Sequence, residues 1–340
     1  MLASPDILNV ILYNATMMSD IIWKLTALGQ LALLLEASAP KPGNVNRSAR
    51  FSDTDYRHFL TSASMMSRGL NRCAFQGIKL GTNQLAPEEV SLGELIETCV
   101  LDSLNGLNQR NTILGSILLY VPLTVSMAAS LVNNLQFSVE DISSWLKIVI
   151  QNATVEDTVG LYRAFIRSTP GGHKIKEAPE WSDAHRRYDF DNPNVFDNIR
   201  EDNLKLVELF RMSSNVDEIS QEYANNFKSI LGEVYPFIAA ISHSLEDLEE
   251  AIVRAFVWLL SKRPDGLIIK KAGRARAEEV RALAESAMRD WSETCGPEEL
   301  IVKLDEALRQ EGNLLNPGTT ADIISTAIFC RLVSLTYPES

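Results

Sequence analysis

Apolar residues recur along this chain at three- and four-residue spacings, the repeat of a helix face. From about Ala15 to Ala39, the residues Ile21, Ile22, Leu25, Leu28, Ala32 and Leu35 form one stripe, and Pro40 closes the run. Helical stretches follow over Asp55–Cys73, with Thr54 as its expected N-cap, and over Glu88–Leu104. Ser138-Val-Glu-Asp141 and Thr154-Val-Glu-Asp157 have the form of capping boxes with Asp in place of Glu, and each opens a helix. Further helical patterns run over Leu204–Arg211, Val216–Leu231, Leu245–Leu260, Ala275–Trp291, Pro297–Gln310 and Thr319–Leu335. No run alternates as a strand would, and no Asn-Gly or Asp-Gly hairpin separates apolar runs. Asp265-Gly266 comes closest, but Lys262-Arg-Pro before it reads as a helix stop. The pattern predicts an all-α chain, with residues 1–340 as a single large multi-helix domain.

Two stretches depart from amphipathic patterning. Asn111 to Ser138 holds no charged residue, which is long enough to span a bilayer. Its Asn, Ser, Thr and Pro content points instead to a central helix buried on all sides. Gly171–Asp202 is polar, with Pro179, Pro193, His173 and His185, and has no clear period; a loop or lid is expected there.

With 340 residues, 46% of them hydrophobic, the chain can bury a large core. A net charge of −12 argues against a broad nucleic-acid surface, so an anionic substrate needs a local cationic pocket. The four cysteines are scattered, with no CxxC, and read as buried thiols of a reducing compartment. No basic segment precedes an apolar run at the N-terminus. The expectation is a cytoplasmic protein without membrane or nucleic-acid partners, with a homo-oligomer left open.

There is no Walker A loop, GxGxxG, HExxH or defensible Ser/His/Asp pattern. What stands out is three Pro-Gly loops beside helix ends: Pro40-Lys-Pro-Gly-Asn44, Thr169-Pro-Gly-Gly-His173 and Asn316-Pro-Gly-Thr-Thr320. The first is stiff, cationic and sharply bent, which suits a phosphate or carboxylate. The third opens a helix whose free N–H groups could take a phosphate; ordinary capping by Thr319 and Asp322 is the alternative. Asp53 and Asp55 flank a helix start, where they could hold Mg²⁺ with phosphate oxygens or simply complement the helix dipole. Glu36 opposes the dipole at the end of its helix, a misfit that calls for a partner such as Lys41 or Arg47.

Pro40-Lys-Pro-Gly43, followed by Asp53-Thr-Asp55, Phe59 and Ser62, resembles the opening of the triphosphoribosyl-dephospho-CoA synthase family. Asn111-Thr112 with Gly115 resembles its central Asn-Thr-x-x-Gly. Asn316-Pro-Gly-Thr-Thr-Ala-Asp322 resembles its C-terminal motif, and the ordered matches span roughly residues 25–335. The resemblance implies an all-α enzyme that moves the triphosphoribosyl group of ATP to the 2′-hydroxyl of 3′-dephospho-CoA, or a related acceptor, with release of adenine. For that chemistry Glu36 or Asp322 is expected as the catalytic carboxylate, with Asp53 and Asp55 as ligands of Mg²⁺. Substrate binding falls to Lys41, Gly43, Asn44, Arg47, Asn111, Thr112, Gly171, Gly172, Gly318, Thr319 and Thr320, with Lys41, Arg47 and the 319–320 helix start on phosphate. Asn46, Phe51 and Ile113-Leu114 stand where the family pattern has Asp, His and His-Lys, so the chain looks closer to a divergent, archaeal-type branch. Losing His and Lys leaves that pocket less cationic and favours a smaller or less charged acceptor. The rival readings are another nucleotide-dependent transferase on the same scaffold and a non-catalytic helical nucleotide- or partner-binding protein.

Overall fold

The computed structural model describes residues 5–104, 110–168, 186–244, 246–293 and 297–338. Among these residues there is no strand, and the helices are α1 (Pro5–Ser38), α2 (Tyr56–Met65), α3 (Ser67–Gly81), α4 (Leu92–Ser103), α5 (Leu114–Asn134), α6 (Val139–Gln151), α7 (Val155–Ser168) and α8 (Val195–Glu201). The second half adds α9 (Leu206–Ser213), α10 (Glu218–Ala224), α11 (Tyr235–Ile241), α12 (Leu248–Lys262), α13 (Gly266–Ala272), α14 (Arg274–Glu293), α15 (Pro297–Arg309) and α16 (Gly318–Thr336). The all-α expectation therefore holds.

The uncharged segment becomes α5, and 89% of its apolar window is buried inside the protein. Helices α1, α3, α4, α6 and α16 surround it. By length and composition α5, α16 and the Asn14–Ser38 part of α1 could each cross a membrane; only 28% of the last is buried. Tyr120 of α5 stacks on Phe329 of α16 with ring centroids 5.0 Å apart and planes 16° from parallel. Its hydroxyl also donates to the Ser325 carbonyl oxygen at 2.9 Å. This pairing fixes α5 against α16 about two to three turns from where the helices begin.

Local boundaries follow capping chemistry. Ser138 Oγ accepts the Asp141 N–H at 3.1 Å. Thr154 N–H donates to Asp157 Oδ2 at 2.6 Å, which closes the second box. The N-cap of α2 is Asp55 and not Thr54: its carboxylate accepts the Arg57 N–H at 2.8 Å, and His58 Nδ1 accepts the Asp55 N–H at 3.0 Å. Expected as one helix, Asp55–Cys73 breaks at Met66, and its second half continues to Gly81 against α5. Within the stretch expected as loop, Val195–Glu201 is helical because Val195 and Ile199 pack on Val159 and Tyr162 in a small satellite core. Cys73, Cys99 and Cys330 are buried free thiols.

Candidate active site

The site begins where α1 ends. Pro40 stops the helix, Gly43 turns the chain at φ +69°, and Lys41 folds back under the helix terminus, fully buried. Lys41 Nζ lies 3.1 Å from Glu36 Oε1 and donates to the carbonyl oxygens of Glu36 and of Ala39, the latter at 3.3 Å. A cation thus meets the negative, carbonyl end of the helix. Burial pushes the Glu36 carboxyl up and the Lys41 ammonium down, and their mutual attraction opposes both shifts. The misfit of Glu36 in the sequence is therefore answered by Lys41, five residues on.

The loop is fastened from the C-terminal side. Gly43 N–H donates to Asp305 Oδ1 at 2.7 Å, and Asn44 Nδ2 donates to Asn316 Oδ1 at 3.1 Å. Arg309 donates to the Asn44 carbonyl and lies 5.1 Å from the centroid of the Phe51 ring. The first and third Pro-Gly loops are thus joined directly.

Asp322, in the second turn of α16, faces the beginning of α5. Ser116 Oγ donates to Asp322 Oδ1 at 2.6 Å. Gly115 allows this approach, because a Cβ there would overlap Asp322 Oδ2. Desolvation first, then the nearby Glu36 and Asp265 carboxylates, pushes the Asp322 carboxyl up to about 8, while the Ser116 hydroxyl and N–H pull the other way. Such a group is protonated at neutral pH and can give up that proton just above it. Gly115→Ala should therefore lower stability by about 1–3 kcal/mol and displace Asp322; thermal unfolding unchanged from wild type would show that the helices can part freely.

Asn111 Oδ1 caps α5 by accepting the Leu114 N–H at 3.1 Å, and Thr112 Oγ1 lies 2.9 Å from Ser62 Oγ of α2. Ile113 is buried in the core and Leu114 is half-buried.

Helices α13 and α16 begin face to face, and Asp265 locks them. This fully buried carboxylate accepts the Ile268 N–H at 3.0 Å, the Thr320 N–H at 2.7 Å and the Thr320 hydroxyl at 2.8 Å. In return Thr319 Oγ1 accepts the Leu267 N–H at 3.1 Å, and Glu218 Oε2 accepts the Gly266 N–H at 2.9 Å. Arg263 pairs with Glu218 at 2.9 Å. Burial pushes Asp265 up as well, and Glu218 up to about 8. The Thr319–Thr320 helix start is thus filled by the protein's own carboxylate.

Beside this junction Arg50, Phe51, Ser52, Asp53, Thr54, Asp55, His58 and Arg110 line a cleft of about 400 Å³. The hydrogen bond from the Arg57 side chain holds Asp55 down at about 2. Lys271 of α13 stands close enough to Asp53 and Asp265 for both carboxylates to oppose the loss of its charge on burial. Among the described residues no three of His, Cys, Asp and Glu gather as a metal site.

The structure thus brings Glu36, Lys41, Asp322, Thr319, Thr320 and Gly318 into one junction, with Asn44, Asn111 and Thr112 at its edge. Asp53 and Asp55 lie in the neighbouring cleft. Arg47 stands apart on the surface, in a two-pronged pair with Glu249 of α12 that includes a 2.8 Å bond. Gly171, Gly172 and the second Pro-Gly loop lie outside the described residues. Sequence reasoning missed Ser116, Asp265 and Glu218. Asp265 carries a cap signal, Asp before a short apolar helix, but nothing local announces its bond to Thr320.

The site is thus a cluster of buried carboxylates where helix ends meet, beside a cleft of mixed charge. The chain belongs to the ATP:dephospho-CoA triphosphoribosyl transferase (CitG) family, whose model matches residues 22–339. It is a pentosyltransferase-type enzyme that uses ATP and a dephospho-CoA-type acceptor. The crystal structure of an Archaeoglobus fulgidus protein provisionally named triphosphoribosyl-dephospho-CoA synthase is similar to it, with 23% identity, TM-score 0.57, and coverage of 81% of this chain and 98% of that one. At that identity the likeness speaks to the fold. No curated protein matches the chain.

Proposed function

We propose that the family transfer takes place at the α1–α5–α16 junction, with Asp322 handling the proton. The observation that carries this reading is Asp322 itself: a carboxyl held to the head of α5 by Ser116 at 2.6 Å and pushed up to about 8. An acceptor hydroxyl oxygen forms a bond to the anomeric carbon of the ATP ribose, the bond from that carbon to adenine breaks, and adenine leaves with the electron pair. Neutral Asp322 gives its proton to the departing base. As a carboxylate it then takes the hydroxyl proton of the acceptor, so the site returns to its starting state. Glu36 answers the positive charge that builds on the ribose, and Lys41 acts as its positioning residue.

Asp53 and Asp55 would hold Mg²⁺. Two carboxylates line one cleft, and Asp55 stays ionised down to about pH 2, although an incoming ion would share it with the Arg57 N–H and side chain. When bound, the ion supplies charge neutralisation for phosphate oxygens. Asn111 and Thr112 position the head of α5, while Gly43, Asn44 and Gly318 shape the loops around it.

The test is to incubate the protein with ATP, Mg²⁺ and dephospho-CoA and to measure free adenine and the enlarged acceptor. Equal amounts of both are expected. Adenine release only with a smaller hydroxyl acceptor would reassign the acceptor, and none with any acceptor would overturn the reading.

A further inference from the structure

Among the described residues, Lys41, Arg47 and the Thr320 N–H, which the sequence marks for phosphate, have partners inside the protein. Lys41 is fully buried against Glu36 and two carbonyls. Arg47 is tied to Glu249. The Thr320 N–H is bonded to Asp265, and the N–H groups of Gly266, Leu267 and Ile268 are taken by Glu218, Thr319 and Asp265. A nucleotide polyphosphate must find its counter-charge elsewhere.

We infer that the chain takes the polyphosphate in the cleft between Arg50 and Arg110. Both guanidinium groups line it, from opposite sides of the α2–α4 region in sequence, together with His58, and its volume of about 400 Å³ admits a chain of phosphates. Arg50 is exposed and makes no ion pair among the described residues, unlike Arg47 and Arg57. Guanidinium groups suit this task, since each presents a planar fork of donors to phosphate oxygens. Asp53 and Asp55 on the same wall would repel a bare triphosphate, so the cleft favours the Mg²⁺-loaded form. Lys271 of α13 is near enough to Asp53 and Asp265 to feel both carboxylates, which sets the cleft near the α13–α16 junction, and the proposed transfer requires the ribose of a nucleotide anchored there to face Asp322. The placement rests on the proposed transfer only for the direction of the ribose; the binding claim stands by itself.

The experiment is calorimetric titration of the full chain with inorganic tripolyphosphate, ATP and adenosine, each with and without Mg²⁺. Arg50→Ala and Arg110→Ala should each weaken ATP and tripolyphosphate by at least about tenfold, and the pair by about a hundredfold, while adenosine affinity and the melting temperature stay unchanged. Arg50→Lys should recover part of the loss. ATP affinity within about twofold of wild type in the folded double variant overturns the inference, as does wild-type protein that binds neither tripolyphosphate nor ATP. Arginine-dependent binding without adenine release would keep this cleft and remove the proposed reaction. Adenine release that survives the double variant at full ATP affinity would do the reverse.

Discussion

Lys41→Ala should cost about 3–5 kcal/mol of folding stability, well beyond what a surface phosphate ligand would show. From sequence, a lysine held between two prolines looks like a presented cation. The structure turns it inward, where it is the counter-charge of a buried carboxylate and the partner of two helix-terminal carbonyls. Removing it strands Glu36 with 5% of its surface exposed and, among the described residues, no other cation paired with it. Removing both charges is a different matter, because well-packed neutral replacements for a buried pair are often tolerated. The double variant Glu36→Gln/Lys41→Met should therefore recover much of the stability that Lys41→Ala loses, while activity stays low if Glu36 answers charge on the ribose. Denaturant unfolding of the variants checks this. A Lys41→Ala chain within about 1 kcal/mol of wild type would mean that Glu36 finds its compensation elsewhere.

The contrast between Lys41 and α5 shows what the sequence can carry. The helices are legible because a 3.6-residue period, a Pro stop and a Ser or Thr cap are local signals, and the absence of charge from Asn111 to Ser138 announces burial before any partner is known. Site membership is partly legible for the same reason: Glu36 breaks the dipole rule, and Lys41 is near enough in the chain to answer it. The bonds that finish the site join residues far apart in sequence. Asp322 meets Ser116 across 206 positions and Asp265 meets Thr320 across 55, and no period or spacing encodes either meeting. A helix N-terminus reads as an open anion site until the carboxylate that fills it is seen. Arg50 and Arg110 carry no motif, and only the fold sets them around one cleft.

Asp322→Asn should reduce adenine release by about 10²–10⁴-fold, since it removes the group that gives and takes the proton while leaving the shape of the site nearly intact. The same change should stabilise the protein at alkaline pH, which separates a catalytic loss from a folding defect. The Asp322 carboxyl rises from 3.8 in the unfolded chain to about 8 in the folded one. Between those values the folded protein holds a proton that the unfolded chain has released, so wild-type stability falls as pH climbs through that window and stops falling from this source above it. Asparagine has no proton to lose. The variant should match wild type near pH 4, gain on it steadily up to about pH 8, and hold a constant lead beyond. The full shift corresponds to an upper bound on the order of 5 kcal/mol, and solvent access to this partly open side chain reduces the lead to a few. Ser116→Ala should push the Asp322 carboxyl higher still, because it removes the hydroxyl that favours the ionised form, and so move the basic fall of the pH–rate profile upward. Stability measured against pH for wild type and Asp322→Asn, beside adenine release for both, decides the matter. Parallel stability curves would mean that Asp322 ionises in the folded protein as it does in water, and the proton-handling role would then belong to another group.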